Sequence, residues 1–166
     1  ANRIRIIRLP GMKFMELGFR PDTFHTVEAV RSVSSDLLND LIIQVKSTKY
    51  LLHKFPMLSK CMRLKNLVSS QSLETETETE TETSQEQQVI QLVDFPGETE
   101  AFELCAKFCY GITITLCAHN VVAVRCAAEY LEMTEEVETE NLVQRLELFL
   151  TSCVFKSWRD SLVTLQ

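Results

Sequence analysis

No stretch of this 166-residue chain approaches the ~18–20 uninterrupted apolar residues that cross a bilayer, so no membrane-spanning helix is expected. Lysine and arginine form no dense block and the formal net charge is −6, which argues against a protein that tracks nucleic-acid phosphates. Glycine is scarce, and its four copies are unclustered, so there is no Gly-rich loop to cradle a phosphate. No nucleophile sits in a recognisable strand–turn–helix elbow. An enzyme, a cofactor and a small-molecule substrate are therefore not expected. No CxxC pair occurs among Cys61, Cys105, Cys109, Cys117, Cys126 and Cys153. Each lies beside apolar neighbours in a periodic segment, so all are expected as buried thiols rather than disulfides or zinc ligands. What remains is a composition of 45% hydrophobic and 24% charged residues, as expected of one packed domain.

Along the chain, Ala1 to Gly11 is basic and apolar but lacks the longer apolar core of a secretory signal. It is expected to be vector-derived or leader sequence, with an added edge strand as the alternative that its Arg/Ile alternation allows. Residues 12–26 are expected as an N-terminal extension, and Val27–Val33 as the first strand. Asp40–Val45, a polar turn at 46–49 and Tyr50–His53 then form an antiparallel hairpin. A helix is expected from Phe55, with Pro56 in its first turn, ending near Ser69-Ser70.

Between 71 and 88 the composition changes. Glu74 to Thr83 is a plain Glu-Thr alternation with nothing to bury, which predicts a disordered acidic insertion. Order resumes with a strand at Val89–Val93 and an amphipathic helix from Glu98 to Tyr110, stopped at Gly111. A short strand or extended linker at 112–116, a helix opened by Asn120 as N-cap, and helices over Glu140–Phe155 and around Trp158, Leu162 and Leu165 complete the reading. The element order is α+β: a small mixed sheet with a hairpin, packed against a cluster of helices.

The runs Asp40-Leu41-Ile42-Ile43-Gln44-Val45, Leu52-His53-Lys54 and Leu58-Ser59-Lys60 resemble the BTB (POZ) domain. Phe102-Glu103, Phe108-Cys109-Tyr110-Gly111, Asn120-Val121-Val122 and Ala127–Met133 match its second half in order. Met12–Gly18, Arg20-Pro21-Asp22 and His53–Ser59 are similar to the plant non-phototropic-hypocotyl (phototropic-response) family. The resemblance implies a BTB/POZ domain over 27–135 with post-BTB helices over 136–166. It implies a homodimer that serves as substrate adaptor for a cullin-RING ubiquitin ligase in phototropic and auxin-linked signalling. Expected partners are a second copy, a cullin scaffold and plant signalling proteins such as photoreceptor kinases. The expected location is intracellular and cytoplasmic, peripheral at the plasma membrane. One departure from the pattern matters. Many cullin-binding members follow the Ser-containing helix with a hydrophobic-x-Glu element, which residues 63–70 lack, and this favours a non-ligase scaffold as the alternative.

Residue by residue, the dimer interface is assigned to Val27, Val30, Val33, Leu37, Leu38 and Leu41. The cullin or partner face is assigned to Met62, Leu64, Lys65, Leu67 and Tyr110. His53, Phe102 and Gly111 are expected to be structural, with His53 at a strand-to-helix junction rather than serving as a metal ligand or base. His25 and His119 are expected to face solvent. Glu135, Glu136, Glu138 and Glu140 lack the Asp/Asn and Gly pattern of a calcium loop and are expected at a solvated helix start.

Overall fold

The computed structural model describes residues 4–9, 12–75 and 87–151. Most of the Glu-Thr run, Cys153 and the expected helix carrying Trp158, Leu162 and Leu165 lie outside the described residues. In chain order the elements are β1 (Ile4–Leu9), β2 (Met12–Leu17), β3 (Phe24–Val27), β4 (Val30–Val33), β5 (Leu41–Val45) and β6 (Thr48–Leu52). Helices α1 (Lys54–Leu58) and α2 (Met62–Thr75), strand β7 (Gln88–Leu92), helix α3 (Glu98–Cys109), strand β8 (Ile114–Leu116) and helices α4 (Val121–Tyr130) and α5 (Leu142–Phe149) follow.

The β5–β6 hairpin has the expected antiparallel pairing, Ile43 opposite Tyr50, and buries Leu41, Ile43 and Val45 on one face. It forms the centre of a five-stranded mixed sheet ordered β3-β4-β6-β5-β7, in which β4–β6 and β5–β7 pair in parallel. A second, antiparallel sheet runs β1-β2-β8. Helix α3 packs between them, against β5, β8, α1 and α4. Its Phe102 is fully buried, 4.8 Å from the Tyr50 ring and edge-on to Phe95 at 5.6 Å. Removing such a ring costs about 3–5 kcal/mol.

Several expectations are corrected. Val27–Val33 is a hairpin rather than one strand: Glu28 adopts φ +56° and turns β3 back as β4. The expected domain start at Val27 thus falls inside a hairpin. The preceding residues belong to the fold, since Met15 and Leu17 of β2 are buried in the core and pair with Leu116 and Ile114. Ile4–Leu9 forms the edge strand β1.

The expected helix from Phe55 is two helices, because α2 must turn to dock on the end of α4. The Met62 and Arg63 N–H groups, left open at the start of α2, donate to the Glu132 and Leu131 carbonyls. Helix α2 also runs past Ser69-Ser70 to Thr75. Ser69, Ser70 and Ser72 return their hydroxyls to carbonyls four residues earlier and so remain helical. Asn120 stands at the start of α4 but does not cap it. Its side chain faces backwards, accepting from the Cys117 N–H at 2.9 Å and donating to the Thr115 carbonyl at 3.1 Å. Asn141 is the side-chain cap of α5, accepting from the Leu142 N–H at 2.8 Å.

Candidate functional site

An open groove of about 1100 Å3 lies between the 34–40 segment, α1 and the α3–β8 turn. Its lip carries four large apolar side chains that the fold leaves in water: Phe19 (53% exposed), Leu37 (73%), Leu38 (76%) and Phe55 (86%). Scattered exposed apolar residues are ordinary, but four converging on one groove mark an interaction surface. Charges of both signs surround them: Arg20, Lys54 and Lys60 with Asp36, Asp40 and Glu138. A surface that mixes apolar residues with both signs can complement a copy of itself, as a two-fold interface requires.

The groove is built on fixed hydrogen bonds. Gly111, with φ +72°, ends α3 in the left-handed conformation, as its position predicted. Its carbonyl then accepts from the Phe19 and Arg20 N–H groups, both at 3.0 Å. This close approach depends on Gly18 (φ +103°), where a Cβ would stand 2.5 Å from the Ile112 carbonyl oxygen. Asp40 accepts from the Lys54 N–H at 2.7 Å, supplying from just before β5 the cap that α1 lacks locally.

His53 is buried at the junction of β6 and α1. Its backbone N–H donates to the Tyr110 hydroxyl oxygen at 2.8 Å, and its Nδ1 lies 2.8 Å from the same oxygen. Its Nε2 lies 3.2 Å from the Leu37 carbonyl, which can only accept. In the neutral ring Nε2 therefore carries the hydrogen and Nδ1 accepts from Tyr110. Burial pushes the Tyr110 phenol up, which keeps it a hydroxyl donor. His53 thus ties the apolar Leu37-Leu38 segment to the end of α3. Every polar atom of the ring is occupied, leaving none for a metal or a substrate.

The sequence-assigned residues divide on this geometry. Leu37 and Leu38 stand on the groove lip. Val33 and Leu41 are buried in the core, which removes them as surface residues. Val27 is exposed on the edge strand β3, with Val30 half-buried across the hairpin. Of the partner-face residues, Lys65 and Leu67 are exposed on α2 and Met62 is half-buried, whereas Leu64 is core. Tyr110 belongs to the groove rather than to α2's face.

Phe19 and Phe55 were not assigned from the sequence. For Phe55 a signal was present: two residues on a helix are separated by roughly 200°, so Phe55 faces out if Met57 faces in, and Met57 is fully buried. His25 and His119 are exposed, as expected. Cys61, Cys105 and Cys109 are buried free thiols, but Cys117 is only partly buried and Cys126 is exposed, since α4 turns that position outward. Among the described residues no group of three or more His, Cys, Asp or Glu could hold a metal ion.

No family model matches the sequence. Individual proteins do. A BTB/POZ domain-containing protein of Arabidopsis thaliana is 89% identical over 158 residues, covering 93% of this chain and 26% of that protein. A second BTB/POZ domain-containing protein of the same plant is 57% identical, covering 93% of this chain and 22% of its own length. The phototropic-responsive NPH3 family protein NPY1 is 49% identical, with 93% and 25% covered. The chain thus spans about a quarter of the length of these relatives. Together with the mixed sheet, the helix cluster and the motifs in matching order, these identities show that the chain belongs to the plant BTB/POZ proteins of the NPH3 family.

Proposed function

We propose that this protein-interaction domain dimerises through the groove and acts as a substrate adaptor for a cullin-RING ubiquitin ligase in phototropic and auxin-linked signalling. The observation that carries the dimer is the convergence of Phe19, Leu37, Leu38 and Phe55 on one lip with charges of both signs around it. Closing that lip against its own copy removes four large apolar side chains from water, each contributing about 1.5–3 kcal/mol when fully buried. No catalytic step enters this reading. It places the protein inside the cell, at the cytoplasmic side of the plasma membrane, with signalling proteins such as photoreceptor kinases as cargo.

The cullin would meet α2, where Lys65 and Leu67 are exposed and do not line the groove. A second reading keeps the dimer but drops the ligase, making the protein a scaffold. The absence of a hydrophobic-x-Glu element in residues 63–70 favours it. Calorimetric titration with a plant cullin N-terminal domain separates the two. Low-micromolar or tighter binding supports the adaptor, and no heat at tens of micromolar from a folded chain supports the scaffold. A chain that sediments as a monomer at high micromolar concentration overturns both.

A further inference from the structure

Beneath the groove, two cysteines from distant parts of the chain stand in contact. The Sγ of Cys61, just before α2, lies 3.8 Å from the Sγ of Cys109, the last residue of α3 and 48 positions further along the sequence. Cys61 is fully buried, whereas Cys109 lines the groove and keeps a small exposed surface there. A small solute in the groove therefore reaches Cys109 first and finds Cys61 directly behind it. Cys105, one turn earlier on α3, is fully buried and does not line the groove.

We propose that Cys61 and Cys109 form a redox couple, closed to a disulfide by a hydroperoxide entering from the groove. In the first step the Cys109 sulfur attacks one peroxide oxygen and the O–O bond breaks. The departing oxygen takes up the thiol proton and leaves as water, and Cys109 becomes a sulfenic acid. In the second step the Cys61 sulfur attacks the Cys109 sulfur. The S–O bond breaks, and the hydroxyl takes the Cys61 proton and leaves as a second water. Two thiols and one hydrogen peroxide thus give one disulfide and two waters. The sulfurs must close by about 1.8 Å to reach disulfide bonding distance.

The hydrogen bond with Cys109 and burial both push the Cys61 thiol up, so it stays protonated at neutral pH. Because Tyr110 follows Cys109 and holds His53, the new bond acts on the same backbone that positions Leu37. The sulfur contact is the same whether or not the groove pairs with a second copy, but a copy seated on the groove closes the peroxide's way in, so the test is run on chain diluted until it sediments as a monomer.

The test treats the reduced, folded chain with hydrogen peroxide, blocks remaining thiols with N-ethylmaleimide and maps peptides by mass spectrometry. The expected result is a Cys61 peptide joined to the Cys109 peptide, an intact mass lower by two hydrogens at that pair, and full reversal by dithiothreitol. Exposed Cys126 serves as the dosimeter, gaining oxygen. In Cys61→Ser the link is lost and Cys109 gains oxygen instead. A dose that oxidises Cys126 in most molecules yet leaves Cys61 and Cys109 open to alkylation after unfolding overturns the proposal. So does a link that forms only when peroxide meets the unfolded chain. The wild-type map alone decides between these outcomes, so a misfolded variant does not remove the test.

Discussion

Replacing Tyr110 with phenylalanine deletes one oxygen atom and tests the frame of the groove. That oxygen is the partner of both the His53 N–H and His53 Nδ1, each at 2.8 Å. The ring contacts survive the change: Tyr110 stands edge-on to Phe24 at 6.0 Å and to His53 at 5.9 Å, and phenylalanine keeps the same faces. The loss is therefore confined to hydrogen bonding. Each buried polar group left without a partner costs about 1–3 kcal/mol, so the pair predicts roughly 2–6 kcal/mol. In a domain of this size that lowers the melting temperature by roughly 4–24 °C. Urea unfolding followed by circular dichroism should show a lower midpoint with an unchanged slope. Hydrogen exchange should accelerate at Leu37 and Leu38, because His53 Nε2 no longer has a fixed ring behind it. A stability loss below about 0.5 kcal/mol would refute the reasoning, since His53 would then not be held by Tyr110.

Four further outcomes are expected. Leu37→Asp with Leu38→Asp, both on exposed positions, should change monomer stability by less than about 0.5 kcal/mol. The same pair should raise the dimer dissociation constant at least about tenfold in sedimentation velocity, and an unchanged constant takes the groove out of the interface. Gly18→Ala places a Cβ against the Ile112 backbone at positive φ, so its urea midpoint should report a loss of about 2–4 kcal/mol. For Asp22, burial raises the carboxyl, but hydrogen bonds from Lys107 and the Phe24 N–H outweigh it and hold the group below its ordinary 3.8. A lowered folded value means the contribution is complete above that ordinary value and lost as pH falls through the folded one. The wild type should therefore exceed Asp22→Asn in stability at neutral pH by a small, salt-sensitive margin that closes in acid. Burial, with the Glu103 charge adding to it, pushes the Tyr50 phenol up to about 12. Its contribution to stability should be intact below pH 10 and disappear as pH rises through about 12, visible in the phenolate absorbance during alkaline unfolding.

The parts of the fold readable in advance are those whose signal is local. Leu41, Ile43 and Val45 alternate over a β-branched run, and the strand partner returns within a few residues, so the β5–β6 hairpin needed no tertiary information. Gly111 after an amphipathic run marked the end of α3 for the same reason. The turn at Glu28 was hidden because it uses glutamate where glycine, asparagine or aspartate is the usual occupant of a left-handed position. Strand β2 was hidden because its partner is β8, so Met15 and Leu17 show their role only beside Leu116 and Ile114. At the candidate site, Leu37 and Leu38 were visible as an apolar pair outside any periodic segment. Phe19 and the charged rim come together only through the 111–113 contact, which no spacing in the chain announces.

The pairing of Met15 with Leu116 also sets a timetable. On a ribosome adding roughly 5–20 residues per second, the first strands emerge many seconds before the strand that will receive them. During that interval Met15 and Leu17, later sealed in the interior, have no docking surface, and β2 offers an open edge to any neighbouring nascent chain. Strands β1 and β2 are thus made well before β8 can lock them. A chaperone that holds these two strands until β8 emerges should matter more to the yield of this domain than one that acts on the segment between them.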